Sequence, residues 1–177
     1  RMLQAACRGA REGAGTGKEA TKILAVTVLT SMEMTDLDAV GMAGPLAAAA
    51  TRLAMIADQA GCFGVIASAH EAKDIRRACR ESFAIVTPGI RPAGIEVDDQ
   101  ARHETPSSAI EAGSDFLVVG RPIRDSADPV VMADSIVADI ERGLVARAQR
   151  PAAPAADDPE LTPLEPSIPG RPSRRRR

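Results

Sequence analysis

Aromatic side chains are almost missing from this sequence, since three Phe and no Trp or Tyr make up 2% of its 177 residues. This scarcity disfavours a surface that stacks nucleic-acid bases, because such surfaces use aromatic rings as platforms. Any core must then be built from Ala, Val, Ile, Leu and Met, which suits closely packed layers of helix on strand. With 45% apolar residues, the chain has enough material for one folded domain.

Clustered metal ligands are also missing from the sequence. The cysteines Cys7, Cys62 and Cys79 show no C-x-x-C spacing, and the two histidines are far apart. This pattern argues against a zinc site and a disulfide framework, and predicts a protein of the reduced cytoplasm. No apolar run approaches the roughly 20 residues of a membrane span. The net charge of −2 is too small to steer a polyanion, so we expect neither a membrane nor a nucleic-acid partner.

The composition changes near residue 150. Residues 151–177 hold seven of the thirteen prolines and end in four consecutive arginines. Such a segment has too few apolar residues to offset the entropy of ordering. We therefore predict one domain over residues 1–149 and a disordered tail over residues 150–177. The terminal arginines fit a solvated basic end, which we favour, or a contact with nucleic acid or an acidic partner.

Short apolar runs alternate with helical patterns between residues 1 and 149. Four runs rich in β-branched residues predict buried parallel strands at residues 23–29, 64–67, 83–86 and 116–119. Helix boundaries are indicated by Pro45 and Gly61, by Thr105-Pro106 and Gly113, and by Asp128-Pro129. The predicted buried faces are Leu3, Ala6, Cys7 and Ala10 in a first helix, Leu46, Ala50, Leu53, Ile56 and Ala57 in a later one, and Ala133, Ile136, Val137, Ile140 and Leu144 in the last.

One helix followed by four βα units predicts an α/β fold of the (β/α)8 TIM-barrel family. Four strands cannot close a barrel by themselves, because that fold needs eight. The sequence therefore predicts a partial barrel.

The candidate functional residues follow the predicted strands. Parallel β/α folds bind ligands at the C-terminal ends of their strands, and barrels typically hold a phosphate in the loops after the last two. Gly120 and Arg121 follow the fourth strand. The glycine allows close approach of backbone to an oxyanion, and the arginine offers a forked, charged donor. Arg91 follows the third strand. Each motif alone also fits a plain turn or a surface arginine, but their recurrence at successive strand ends favours an anion site.

These segments, in their order and spacing, resemble orotidine 5′-phosphate decarboxylases. The matching stretches are residues 25–32, residues 86–92 with Asp99-Gln100 downstream, Thr105-Pro106 and residues 119–123. The resemblance covers residues 1–142 and corresponds to about the last four βα units of the barrel. It implies decarboxylation of orotidine 5′-phosphate to uridine 5′-phosphate (UMP) in pyrimidine synthesis, without cofactor or metal, by enzymes that are homodimers.

By position, the resemblance also implies substrate-binding roles for six residues. They are Thr30, Ser31, Arg91, Gln100, Gly120 and Arg121. The first two would meet the pyrimidine or ribose side of the ligand, and the glutamine would reach from a lid to the phosphate. The glycine and the last arginine would hold the phosphate, while Arg91 would support their loop.

The segment Asp-x-Lys-x-x-Asp, which supplies the proton-donating lysine in these enzymes, is not in the sequence. We therefore assign no catalytic residue and expect the chain to be inactive alone. Lys18, Lys22 and Lys73 are predicted before the first strand or on an outer helix, and nothing orients His70 or His103 as an acid.

Two other interpretations stay open. One is a non-catalytic remnant that binds nucleotides or phosphates. The other is a related barrel enzyme acting on a sugar phosphate, which Ser31 and Gln100 disfavour because they match a pyrimidine nucleotide site.

Overall fold

The computed structural model of the chain describes residues 1–42, 44–93 and 104–149. Its helices are α1 (Met2–Gly13), α2 (Met34–Ala39), α3 (Leu46–Gln59), α4 (Ala69–Ala78), α5 (Pro106–Ala112), α6 (Arg121–Arg124) and α7 (Pro129–Gln149). Its strands are β1 (Leu24–Val26), β2 (Gly64–Ile66), β3 (Ala84–Thr87) and β4 (Phe116–Leu117). The predicted tail lies outside the described residues.

The four strands form one parallel sheet in the order β1-β2-β3-β4, which confirms the predicted α/β fold and partial barrel. Each predicted strand is present, although shorter than its apolar run. Strands β2 and β3 approach each other closely at Gly64. A Cβ on this residue would overlap the carbonyl oxygen of Ala84 in β3. Only glycine therefore fits at the start of β2 without moving the backbone.

Helix boundaries follow the local signals in the sequence. Pro45 precedes α3 as its N-cap, and the hydroxyl of Thr105 accepts a 3.2 Å hydrogen bond from the backbone N–H of Ser108 at the start of α5. Gly113 ends α5 with a φ of 122°, a conformation that favours glycine. These three predicted boundaries are confirmed.

Each of the predicted helix faces is partly wrong. In α3 the buried residues are Ala49, Ala50, Ala54 and Ala57, while the predicted core residue Ile56 is 55% exposed. Ala54 and Ala57 belong to the core cluster that includes α4, and their small side chains allow the two helices to approach closely. In α1, Cys7 is buried as predicted and Ala6 is exposed.

The last helix, α7, buries only part of the face predicted for it. It buries Ile136 and Gly143, whereas Val137 and Leu144 are 54% and 51% exposed. Gly143 lies so close to the backbone of Ser107 in α5 that a side chain there would clash. Gly143 thus marks a close α5–α7 contact, while the predicted stripe is buried at Ile136 and exposed at Val137 and Leu144.

A network of hydrogen bonds closes the N-terminal end of the sheet. The guanidinium of Arg76 donates to the carbonyl oxygens of Phe83 at 2.8 Å and Gly113 at 3.0 Å, and it pairs with Asp115. The Asp115 carboxylate also accepts from the backbone N–H of Ile85 at 2.9 Å. One arginine thus joins α4, the start of β3 and the end of α5.

In the described part of the chain, no helix is long and apolar enough to cross a bilayer.

Candidate ligand-binding site

Five of the six predicted site residues follow the C-terminal ends of the strands. The strands are parallel and pair in register from Val26 through Ile66 and Val86 to Phe116, so their ends meet at one edge of the sheet. Thr30 and Ser31 follow β1, Arg91 follows β3, and Gly120 and Arg121 follow β4. The sixth, Gln100, lies outside the described residues. The shared edge is the position at which β/α barrels bind their ligands.

Open space surrounds the backbone at the end of β4. Gly120 precedes α6 as its N-cap with a φ of −107°, so the turn itself does not require glycine. A Cβ built on Gly120 would meet nothing within 4 Å. The missing side chain therefore leaves the backbone accessible, which is the property expected of a residue that approaches an oxyanion.

Two arginines lie close to Gly120 in the sequence. Arg121 is half-buried, and Arg124, one turn further along α6, binds Asp125 through two hydrogen bonds of 2.6 and 2.9 Å. The hydrogen bond from Arg124 and, to a smaller extent, the charge of Arg121 lower the pKa of the Asp125 carboxyl. Arg121 and Arg124 thus both act on the carboxyl group of Asp125.

The backbone of Arg91 is anchored at the end of β3. Its N–H donates to the carbonyl oxygen of Glu104 at 2.9 Å, and Ile90 forms a parallel bridge with Glu104. The guanidinium donates to the carbonyl oxygen of Ile90 at 3.1 Å. Residues 94–103, which include Gln100 and His103, connect these anchor points and lie outside the described residues.

A turn after β1 carries the two hydroxyl residues. The backbone N–H of Met32 donates to the carbonyl oxygen of Leu29 at 3.0 Å, which closes the turn around Thr30 and Ser31. Thr30 is half-buried and Ser31 is exposed. The Ser31 hydroxyl is accordingly available to a ligand at this edge.

A polar chain that the sequence did not indicate lies at the same edge. His70, on the first turn of α4, places Nδ1 3.5 Å from Oε1 of Glu104, and the Ser108 hydroxyl donates to the other carboxylate oxygen at 2.5 Å. The capping pair Ser68 and Glu71 fixes the start of α4, with the Ser68 N–H donating to Glu71 at 2.9 Å. That capping box was readable from the sequence, but the partner of His70 is 34 residues away along the chain.

The lysines lie away from the C-terminal edge of the sheet. Lys22 precedes β1 at the opposite end of the sheet, where its ammonium pairs with Glu19 at 3.0 Å and lies 4.8 Å from the ring centroid of Phe63. Lys73 is on the exposed side of α4, and Lys18 is exposed before β1. Within the described ranges, no group of three His, Cys, Asp or Glu side chains is arranged to hold a metal ion.

The family model and two similar relatives point to the same family. The sequence model of the Orotidine 5′-phosphate decarboxylase / HUMPS family matches residues 1–136. The orotidine 5′-phosphate decarboxylase of Anaeromyxobacter sp. strain K is 48% identical over 139 residues, which is 78% of this chain and 58% of that protein. The corresponding protein of Legionella pneumophila strain Paris is 48% identical over 141 residues, covering 79% and 60%.

Solved structures agree in fold. The crystal structure of orotidine 5′-phosphate decarboxylase from Lactobacillus acidophilus gives a TM-score of 0.66 at 36% identity and covers 78% of this chain and 58% of that one. An uncharacterized conserved protein from Geobacillus kaustophilus gives 0.66 at 30% identity, with 79% and 58% covered. The chain therefore spans about three fifths of the length of the relatives it matches.

Proposed function

Because the chain belongs to the orotidine 5′-phosphate decarboxylase / HUMPS family, we propose that it forms the phosphate-binding part of a decarboxylase that converts orotidine 5′-phosphate to UMP. The proposed ligand is a small nucleotide, without cofactor or metal. The proposed setting is pyrimidine synthesis in the cytoplasm, in a homodimer like those of the family.

One observation carries the proposal: the open backbone at Gly120 and the guanidinium of Arg121 follow the last strand of the sheet. Barrel enzymes commonly hold a substrate phosphate in the loops after their last two strands. Here those strands are β3 and β4, followed by Arg91 and by the Gly120-Arg121 pair. An arginine suits a phosphate because its fork of N–H groups matches two oxygens at once.

The phosphate group does not react, yet holding it contributes to the rate. Binding energy from a remote part of a substrate lowers the barrier when it orients the reacting ring and closes the site. The proposed roles follow this division: Gly120 and Arg121 bind the phosphate, while Thr30 and Ser31 contact the pyrimidine or ribose. Gln100 and Arg91 are proposed to complete the phosphate side.

Proton donation to the ring carbon is assigned to residues outside this sequence. Lys22 lies at the opposite end of the sheet and Lys73 on the outside of α4, so neither is placed to protonate a ligand at the C-terminal edge. The Asp-x-Lys-x-x-Asp segment implied by the family resemblance would supply this step. We therefore propose that activity requires a polypeptide that carries this segment.

Exposed apolar residues at both flanks of the sheet support such a completion. Val26 on β1 and Phe116 on β4 are each 55% exposed, and Val130, Val137 and Leu144 form a line on the outer face of α7. Both edge strands have one side without a neighbouring strand among the described residues. Further βα units packed there would bury this surface and pair both edges.

The test is a decarboxylation assay on two proteins. The 177-residue chain alone is expected to give no loss of orotidine 5′-phosphate above the buffer rate. The same chain fused behind the N-terminal part of the Anaeromyxobacter relative is expected to turn over substrate, with that N-terminal part alone as the control. Turnover by the chain alone would refute the assignment of proton donation. A folded but inactive fusion that binds UMP would favour a non-catalytic nucleotide-binding role.

A further inference from the structure

Two cysteines distant in sequence meet at the end of the sheet opposite to the candidate site. Cys7 of α1 and Cys62, in the turn between α3 and β2, have their sulfur atoms 3.7 Å apart. Both side chains are buried, at 5% and 0% exposure. At this separation the Cys7 thiol donates a weak hydrogen bond to the sulfur of Cys62.

Arginine side chains hold the backbones of both cysteines in place. Nε of Arg11 donates to the carbonyl oxygen of Cys7 at 3.1 Å, and a terminal nitrogen of Arg80 donates to that of Cys62 at 2.6 Å. The Cys62 N–H also donates to the carbonyl oxygen of Ala57 at 3.1 Å. The thiols are thus positioned from both sides, and their contact does not depend on a mobile loop.

A cavity of about 230 Å³ gives access to the pair. Both cysteines line it, together with the cationic side chains Arg11, Lys22 and Arg80. A small reagent that enters this cavity would first meet Cys7, which is slightly exposed, whereas Cys62 is fully buried behind it. Cys79, in contrast, does not line the cavity.

We propose that Cys7 and Cys62 are a site of reversible oxidation by low-molecular-weight disulfides, which joins α1 covalently to the base of β2. A thiolate of the pair attacks the reagent R–S–S–R, forms a mixed disulfide and releases one R–S⁻. The second cysteine, as its thiolate, then attacks the protein sulfur of the mixed disulfide and releases the second R–S⁻. Two protein thiols are oxidised, one reagent disulfide is reduced to two R–SH, and the two protons end on those products.

The link would tether a helix that has a single buried residue. Cys7 is the buried residue of α1, and the segment between α1 and β1 contains Gly15 and Gly17, both at positive φ. Closing a loop of about 55 residues with a disulfide restricts the unfolded chain strongly. We expect the midpoint of thermal unfolding to rise on the order of 10 °C.

The reaction should be slow at neutral pH. Burial, and then the contact with Cys7, raise the pKa of the Cys62 thiol to about 11. The thiolate is the reactive form, so the rate should increase with pH up to that value. The charged groups that face the pair are Arg11 from α1, Lys22 before β1 and Arg80 after α4.

The test treats the reduced full chain with bis(2-hydroxyethyl) disulfide at pH 8.5 and counts free thiols. We expect the count to fall from three to one, and peptide mapping to join the tryptic peptides that contain Cys7 and Cys62. The variant Cys79→Ser should still form the link, whereas Cys7→Ser and Cys62→Ser should not. Added dithiothreitol should restore the thiols and the original unfolding midpoint.

Three outcomes would overturn the proposal. They are a count that stays at three, a bridge that includes Cys79, and a mixed disulfide that does not resolve into the Cys7–Cys62 link. Because mapping is done on the unchanged chain, the result does not depend on whether a cysteine variant folds.

Discussion

The two ends of the sheet are built differently. At the N-terminal end, Arg76, Asp115 and Gly64 are each committed to contacts within the chain. At the C-terminal end, Gly120 has open space around it and Ser31 is exposed. In β/α barrels the first end serves stability and the second serves ligand binding. A substitution at the N-terminal end should therefore change stability, and one at the C-terminal end should change ligand binding.

The largest expected difference between the two ends is in the loss of stability when one methyl group is added at each. Gly64→Ala would force a Cβ into the carbonyl group of Ala84, so the strands must move apart. We expect a loss of about 3 kcal/mol in the free energy of unfolding, measured by urea denaturation of the full chain. Gly120→Ala, where nothing lies within 4 Å, is the matched control and should lower the free energy of unfolding by about 1 kcal/mol or less, because alanine is a poorer N-cap than glycine. Equal losses would remove the distinction between the two ends.

A smaller effect is expected for the arginine that closes the N-terminal end. Arg76→Met removes the hydrogen bonds to Phe83 and Gly113 and leaves Asp115 without its closest cation. We expect it to lower the free energy of unfolding by about 2 kcal/mol.

The neighbouring arginine provides the control for that variant. Arg77 is half exposed and pairs with Asp74 at 3.9 Å, so Arg77→Met should cost less than about 1 kcal/mol. If both variants unfold at the same urea concentration, Arg76 does not hold α4, β3 and α5 together.

The smallest effect concerns the exposed pair at the other end. The hydrogen bond from Arg124 lowers the pKa of Asp125, so its contribution to stability is present above the ordinary aspartate value of about 4. That contribution is lost as the pH falls through the lowered pKa. Asp125→Asn should therefore shift the unfolding midpoint slightly at pH 7 and less at pH 3. A difference that grows towards low pH would contradict the assigned cause.

Much of the fold was predictable from local signals. Short continuous apolar runs predicted β1 to β4, and Thr105, Gly113 and Pro45 predicted helix boundaries because caps and turns act within a few residues. Parallel strands then placed Thr30, Arg91 and Arg121 at one edge without any further information.

Contacts between distant segments were not predictable in the same way. Helical spacing shows that a stripe of residues is apolar but not which neighbouring element it meets. The predicted burial of Ile56, Val137 and Leu144 was therefore wrong. The His70–Glu104 and Cys7–Cys62 contacts join residues 34 and 55 apart in sequence, and no short motif encodes either pair.

The most direct measurement compares UMP and uridine binding by calorimetry, in the fusion with the N-terminal part of a relative and in its Arg121→Ala variant. A charge-assisted hydrogen bond of roughly 1.5 to 3 kcal/mol corresponds to about a ten- to hundredfold change in affinity. Arg124→Ala is the control, since the Arg124 guanidinium already binds Asp125. Arg121→Ala should weaken UMP binding by about that factor and leave uridine binding nearly unchanged. Equal losses for both ligands would show that Arg121 supports the fold and does not bind the phosphate.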